Sequence, residues 1–140
     1  MHDMLIVGYN EHSFLDEGWH DREVDTRNQV VFRSSRECAS FHLDAEPRHK
    51  TLILLLSAQP TLSPENEIHV RILSNNSPIG ECSFRDDDWH LVRFPISISE
   101  KGNIGFTLSV SPMVIPHTRF ANGDFRTLGI SLAAARLAME

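Results

Sequence analysis

Cysteine, aromatic rings other than phenylalanine, basic charge and long apolar runs are all scarce in this 140-residue chain. Cys38 and Cys82 form no Cys-x-x-Cys and no Cys/His pair at zinc spacing, which argues against a zinc knuckle. In "ECASFHLD" the apolar face is Ala39, Phe41 and Leu43, opposite Cys38, whereas in "PIGECSFR" Cys82 shares the face of Phe84. A disulfide needs Cα atoms within about 7 Å and converging Cβ vectors, so both cysteines are expected as free thiols. The longest apolar run, Leu52 to Leu56, is far short of the roughly 20 residues of a spanning helix, so no membrane partner is expected. The opening "MHDMLIVGYN" has no Lys or Arg and does not read as a signal peptide, which makes a cytoplasmic location the expectation. Thirteen basic residues against nineteen acidic ones give a net charge of −6 and no basic stripe, so nucleic acid is not an expected partner.

What the chain does have is alternation. In "EIHVRIL" (67–73), Ile68, Val70 and Ile72 share one side and Glu67, His69 and Arg71 the other. "NIGFTLSV" (103–110) repeats the pattern, and "QVVFRS", "ASFHL" and "WHLVRFPI" are shorter versions. Period two is the mark of half-buried strands with one solvated face. "TLILLLSA" is apolar on both parities and predicts a central strand covered on both sides. Turn signals, among them "AEPRH", "SNNSPIG", "RDDD", "SEKGN" and "ANGD", punctuate these runs at intervals of about ten residues. That spacing predicts an all-β antiparallel sandwich or barrel. No internal repeat or linker divides the chain, so residues 1–140 are expected to form a single domain.

The segment "LGISLAAARLAM" (128–139) is ambiguous. Leu128, Leu132, Ala135 and Met139 stand at helical spacing in an alanine-rich run. A strand would instead turn Ile130, Leu132 and Ala134 inward. A last strand pairing with the first would remove an exposed edge, and the strand is the expectation.

The order of marks along the chain, "GWHDRE" (18–23), "VFRSS" (31–35), "WHLVRFPI" and "NGDFRTLGISL", resembles a jelly-roll β-sandwich domain. Such domains are similar to carbohydrate-binding modules and are often attached to bacterial glycosyltransferases and methyltransferases. The matching marks are Gly18-Trp19 with Glu23, Arg33, Trp89 and the run from Asp124 through Arg126 to Gly129. Members often carry a tryptophan after the strand arginine, where this chain has Ser34. The resemblance implies a non-catalytic saccharide-binding or accessory module in glycan synthesis or modification. Its partners would be a saccharide or glycan and a glycosyltransferase or methyltransferase domain.

Within that frame the candidate ligand-binding residues are Trp19, Glu23, Arg33, Trp89, Asp124 and Arg126. Asp124 and Arg126 leave the same face if their segment is extended, and each can hydrogen-bond vicinal sugar hydroxyls. The other reading of that pair is a structural ion pair or turn cap. Arg33 and Glu23 would extend it to a four-charge network, which suits a partly exposed cleft better than a core. Trp19 and Trp89 are the rings able to stack on the apolar face of a pyranose; the alternative is a packing role. Eight histidines are present, yet no pair stands at metal-ligating spacing beside "HDRE", so no metal and no cofactor is assigned. "RDDD" and "NGD" are where a calcium ion would be sought. No nucleophile elbow or phosphate loop occurs, and an enzyme is not expected. Two alternatives stay open: an interaction or homodimerisation domain with an exposed apolar patch, and a small glycan hydrolase using Glu23 and Asp124 as its carboxylates.

Overall fold

The computed structural model describes residues 2–58, 67–113, 123 and 126–140. Among them, ten strands alternate with a single turn of 3-10 helix at Glu11–Ser13. They are β1 (Met4–Ile6), β2 (Trp19–Asp25), β3 (Val30–Ser35), β4 (Cys38–Ala45), β5 (Thr51–Ser57), β6 (Ile68–Ser74), β7 (Ser77–Phe84), β8 (His90–Pro95), β9 (Gly102–Ser111) and β10 (Ser131–Ala138). No helix among the described residues is long and apolar enough to cross a membrane.

The pairing is that of a jelly roll. β3 pairs β10, β4 pairs β9, β5 pairs β8 and β6 pairs β7, all antiparallel, as if one long eight-strand hairpin had been rolled up. Rolling places β10 against β5 and β6 against β9, giving one sheet ordered β2-β3-β10-β5-β8 and a second ordered β4-β9-β6-β7. The first will be called sheet A and the second sheet B. The expected all-β antiparallel sandwich is the observed fold.

Alternation explains the core. Phe41 and Leu43 of β4, Ile68, Val70 and Ile72 of β6, and Phe106, Leu108 and Val110 of β9 point inward from sheet B. They meet Leu52, Leu54 and Leu56 of β5, Phe94 of β8, and Leu132 and Leu137 of β10. Phe41 and Phe106 are cross-strand partners, and their rings stack with centroids 5.4 Å apart. Each such side chain contributes about 1.5–3 kcal/mol on burial. β5 lies between β10 and β8, as its two apolar parities predict.

The segment open to two readings is a strand. β10 pairs with β1, β3 and β5, so tertiary pairing on both edges overrides its helical propensity. One detail is corrected. A bulge between Leu132 and Ala134 inserts Ala133, which resets the parity. Ala135 and Leu137, not Ala134, continue the inward row begun by Ile130 and Leu132. At the same bulge the opposite edge of β10 passes from β3, opposite Ser131 and Leu132, to β1, opposite Ala134 to Arg136.

The "SNNSPIG" turn is tighter than its composition suggests. Asn75 and Asn76 alone make it, at φ of 48° and 70°, the pair of left-handed residues of a type I′ hairpin. β7 then begins at Ser77 and carries Pro78, which is tolerated because β7 is the edge of sheet B. Gly80 permits the sandwich to close at that edge, since a Cβ there would lie 2.4 Å from the ring of Phe94 in sheet A.

Candidate functional site

The strand order divides the five described candidate residues among three places. Glu23 and Arg126 meet. Arg126 donates Nη1 to Glu23 Oε2 at 3.0 Å and Nη2 to Glu23 Oε1 at 3.1 Å, a bidentate fork between residues 103 apart in sequence. Their side chains keep about a third of their surface exposed, 33% for Glu23 and 36% for Arg126. Beside them His20 Nε2 lies 2.8 Å from the carbonyl of Thr127, which ties the same strand to the same segment.

Glu23 is opposite Phe32 in the register of β2 and β3, and Phe32 points away from the core cluster. Pair and ring therefore share the outer face of sheet A. Two residues on, about 7 Å along that face, stands Asp25. It accepts the N–H groups of Arg27 and Asn28, the amide of Asn28, and at 2.8 Å the indole N–H of Trp89. Trp89 covers Phe32 with ring centroids 5.8 Å apart. One edge of Trp89 is thus fixed by the β2–β3 turn, and the ring remains half-buried.

Arg33 goes elsewhere. It is the register partner of Arg22, on the opposite side of the strands from Glu23, and both arginines converge on Glu11. The Glu11 side chain has no exposed surface. Its Oε2 accepts Arg22 Nε at 2.8 Å and Arg33 Nε at 3.3 Å, and its Oε1 accepts Arg22 Nη2 at 2.9 Å and the Gly8 N–H at 3.1 Å. Burial pushes the carboxyl of Glu11 up, but the hydrogen bonds from Arg22, Gly8 and Arg33 outweigh it and hold the group below its ordinary value. The expected four-charge network is therefore split: Glu23 belongs to Arg126, and Arg33 belongs to Glu11. Asp124 lies outside the described residues.

Trp19 begins β2 and is half-buried against the core. Its indole N–H donates to the Ser40 carbonyl at 2.8 Å, joining sheet A to β4 of sheet B. Gly18, immediately before it, is at φ 93°, and a Cβ there would fall 2.0 Å from the Cys38 carbonyl oxygen. That close approach explains the glycine in "GWHDRE".

Two of the three carboxylates of the acidic run "RDDD" are held by other side chains. Asp86 accepts from His90 Nε2 at 2.6 Å and from the Asp88 N–H, and these bonds hold its carboxyl below the usual range. Asp87 pairs with Arg27 at 3.5 Å. Among the described residues no group of three or more His, Cys, Asp or Glu side chains is placed to hold a metal ion.

Glu11, Arg22 and Asp25 were not among the candidate ligand-binding residues read from sequence. Once "WHDREVD" is known to be a strand, its alternation puts Arg22 on one side and Glu23 and Asp25 on the other. Glu11 had no such signal. It sits in an irregular strap, and only the topology brings it under two arginines.

No family model matches this sequence, and no curated protein sequence matches it either. Solved structures do match in shape. The carbohydrate-binding module CBM36, in complex with calcium and xylotriose, superposes with a TM-score of 0.55 at 6% identity over 96% of this chain and 98% of its own. In fold, the chain is similar to a carbohydrate-binding module. CBM51 from Clostridium perfringens, in complex with methyl-galactose, gives a TM-score of 0.50 at 12% identity over 96% of this chain and 99% of its own. The exo-β-1,3-galactanase of Phanerochaete chrysosporium, with β-1,3-galactotriose, gives 0.56 at 7% identity. This chain is covered over 98% of its length in that match but spans only 29% of the galactanase. Identities this low carry the sandwich and nothing finer.

Proposed function

We propose that this chain is a non-catalytic saccharide-binding module, acting as an accessory domain to machinery that synthesises or modifies glycans, such as a glycosyltransferase or methyltransferase. What supports the reading is a sandwich shared end to end with carbohydrate-binding modules, carrying a partly exposed acid–base fork on an outer sheet face. With about a third of each side chain exposed, the fork presents a carboxylate and a guanidinium side by side, groups that hydrogen-bond sugar hydroxyls. Trp89, fixed by Asp25 on the same face, supplies an apolar flank for the ring carbons of the sugar.

Isothermal titration with xylotriose, β-1,3-galactotriose and methyl-galactose tests this. Binding is expected with at least one of them at millimolar concentration or below. Glu23→Gln and Arg126→Gln should each weaken it by about tenfold or more, the equivalent of ~1.4 kcal/mol. Absence of heat with all three sugars at millimolar concentration refutes the proposal.

A further inference from the structure

The other outer face carries a feature with no part in the fork. His42 and Asp44 of β4 alternate with buried Phe41 and Leu43, so they point away from sheet B, opposite to the face of Glu23. Beside them the strap after β1 passes over the edge of the sandwich. Between strap and strand lies an open hollow of about 650 Å³ lined by Tyr9, Asn10, Ser13, His42, Asp44 and Asn103, with the buried ring of Phe14 at its base. A second hollow of about 360 Å³ adjoins it, sharing His2, Asp44 and Asn103 and reaching Lys101 and Gly102. Each volume falls in the range of about 300–1,000 Å³ typical of small-ligand sites, and the shared residues make the two hollows one groove.

The chemistry of this groove is uneven along its length. At one end stands Tyr9, 82% exposed, on a turn that is rigidly held. The N–H groups of Tyr9 and Asn10 both donate to the Ile6 carbonyl, while Asn10 accepts from Ile6 N–H at 2.7 Å and donates to the Met4 carbonyl at 3.1 Å. An aromatic ring held out on a fixed turn loses little freedom on meeting a ligand. At the middle, Asp44 accepts from the Asn103 amide at 3.2 Å, and that bond together with the His2 backbone holds its carboxyl below the ordinary value. His42 Nδ1 is 2.9 Å from Asp16, and its ring leans on Phe14 with centroids 6.1 Å apart. The groove thus pairs one flat apolar platform with a centre of directed hydrogen-bonding groups, among them an ionised carboxylate.

We infer that this groove is a second saccharide site, taking a neutral oligosaccharide longer than one unit, with a sugar ring on Tyr9 and the next unit's hydroxyls on Asp44 and Asn103. The inference shares the saccharide reading of the protein but not its location, since His42 and Asp44 lie on the outer face of sheet B and Glu23 on that of sheet A. A neutral chain is specified because the ionised carboxylate at the centre repels a uronate, whereas Lys101 lines only the adjoining hollow. Length is specified because the groove continues from the hollow beside Tyr9 into the adjoining one at Lys101 and Gly102.

Titration of xylotriose and β-1,3-galactotriose into the isotope-labelled protein, followed by amide chemical shifts, separates the possibilities. The expected result is shifts at Tyr9, His42, Asp44 and Asn103 with at least one trisaccharide, and about tenfold weaker binding of methyl-galactose at the same residues. Tyr9→Ala, with melting unchanged as befits an exposed side chain, should weaken the groove by about tenfold or more. Asp44→Asn should weaken it while keeping the bond from Asn103. Glu23→Gln should leave it unchanged. Shifts confined to the neighbourhood of Glu23 and Arg126 overturn the inference and leave the saccharide reading intact. Tighter binding of a galacturonate trimer than of the neutral sugars also overturns it. No shifts anywhere with any sugar sinks both.

Discussion

Replacing Glu11 by alanine is the sharpest test of how this sandwich is closed. The substitution removes the acceptor of four hydrogen bonds, from Arg22 Nε and Nη2, Arg33 Nε and the Gly8 N–H, at a side chain with no exposed surface. Breaking a buried ion pair by deleting one partner costs about 3–5 kcal/mol, because the other charge is left without compensation. Arg22 is 40% exposed and can turn to water, whereas Arg33, at 16%, keeps among the described residues the His20 carbonyl at 3.2 Å. The loss should therefore fall at the low end, about 3 kcal/mol. That is a large share of the ~5–15 kcal/mol available to a domain of this size, and it should move a urea midpoint by about 1.5 M. Trp19 and Trp89 are natural fluorescent reporters of the transition. The pH dependence has a definite sign. The folded carboxyl of Glu11 lies below its ordinary value of 4.5, so the ionised group stabilises fully above that pH and its contribution is lost as pH falls through the folded value. The gap between wild type and Glu11→Gln should accordingly narrow in acid. A cost for Glu11→Ala under about 1 kcal/mol at neutral pH, or a gap that widens below pH 4.5, refutes the reasoning.

Two further outcomes follow from single residues. Gly18→Ala should destabilise by about 2–4 kcal/mol, since φ of 93° and a contact of 2.0 Å to the Cys38 carbonyl both oppose a Cβ; Gly102→Ala, with nothing within 4 Å, is the neutral control, and equal melting of the two variants counts against the assignment. Burial pushes the Cys82 thiol up to about 11, whereas Cys38 is exposed, so iodoacetamide at pH 8 should modify Cys38 first; peptide mapping that finds equal rates contradicts the placement of Cys82 against the core.

How much of this was legible beforehand depends on whether the signal was local. β6 and β9 announce themselves, because a helix would scatter an alternation of seven or more residues over all of its faces. The jelly-roll order was legible only through resemblance, since nothing in the spacing of strands says that β10 must run between β3 and β5. β2 was hidden by polarity. It is an edge strand with charged residues on both sides, so its period carries no hydrophobic contrast. The site shows the same division. The fork joins Glu23 to Arg126, both of which stood in motifs, while Arg33, a mark of the same resemblance, was drawn toward the same group by its charge. Its strand parity sends it the other way, and parity against a partner strand cannot be read before the register is known. Glu11 illustrates the limit. A carboxylate in an irregular segment has no pattern, and its role exists only once two strands have brought their arginines beneath it.

The strap that holds Glu11 also links the two faces. It leaves β1 beside β10 in sheet A and then runs along β4 in sheet B, where the Asp16 N–H donates to the Ser40 carbonyl and the His42 N–H to that of Phe14. Tyr9 lies two residues before Glu11, and the Gly8 N–H before it donates to the same carboxylate. The platform at the mouth of the groove is therefore anchored from below by the arginines of β2 and β3. Those strands present Glu23 and Phe32 on the far side of sheet A. A single pair of strands thus serves three purposes through parity alone: one side seals the seam and steadies the strap, the other carries the fork, and the turn between them fixes Trp89. The polar residues of "WHDRE" therefore need not all be ligand contacts. Arg22 organises the sandwich, and Glu23, facing the opposite way, keeps about a third of its side chain open to solvent.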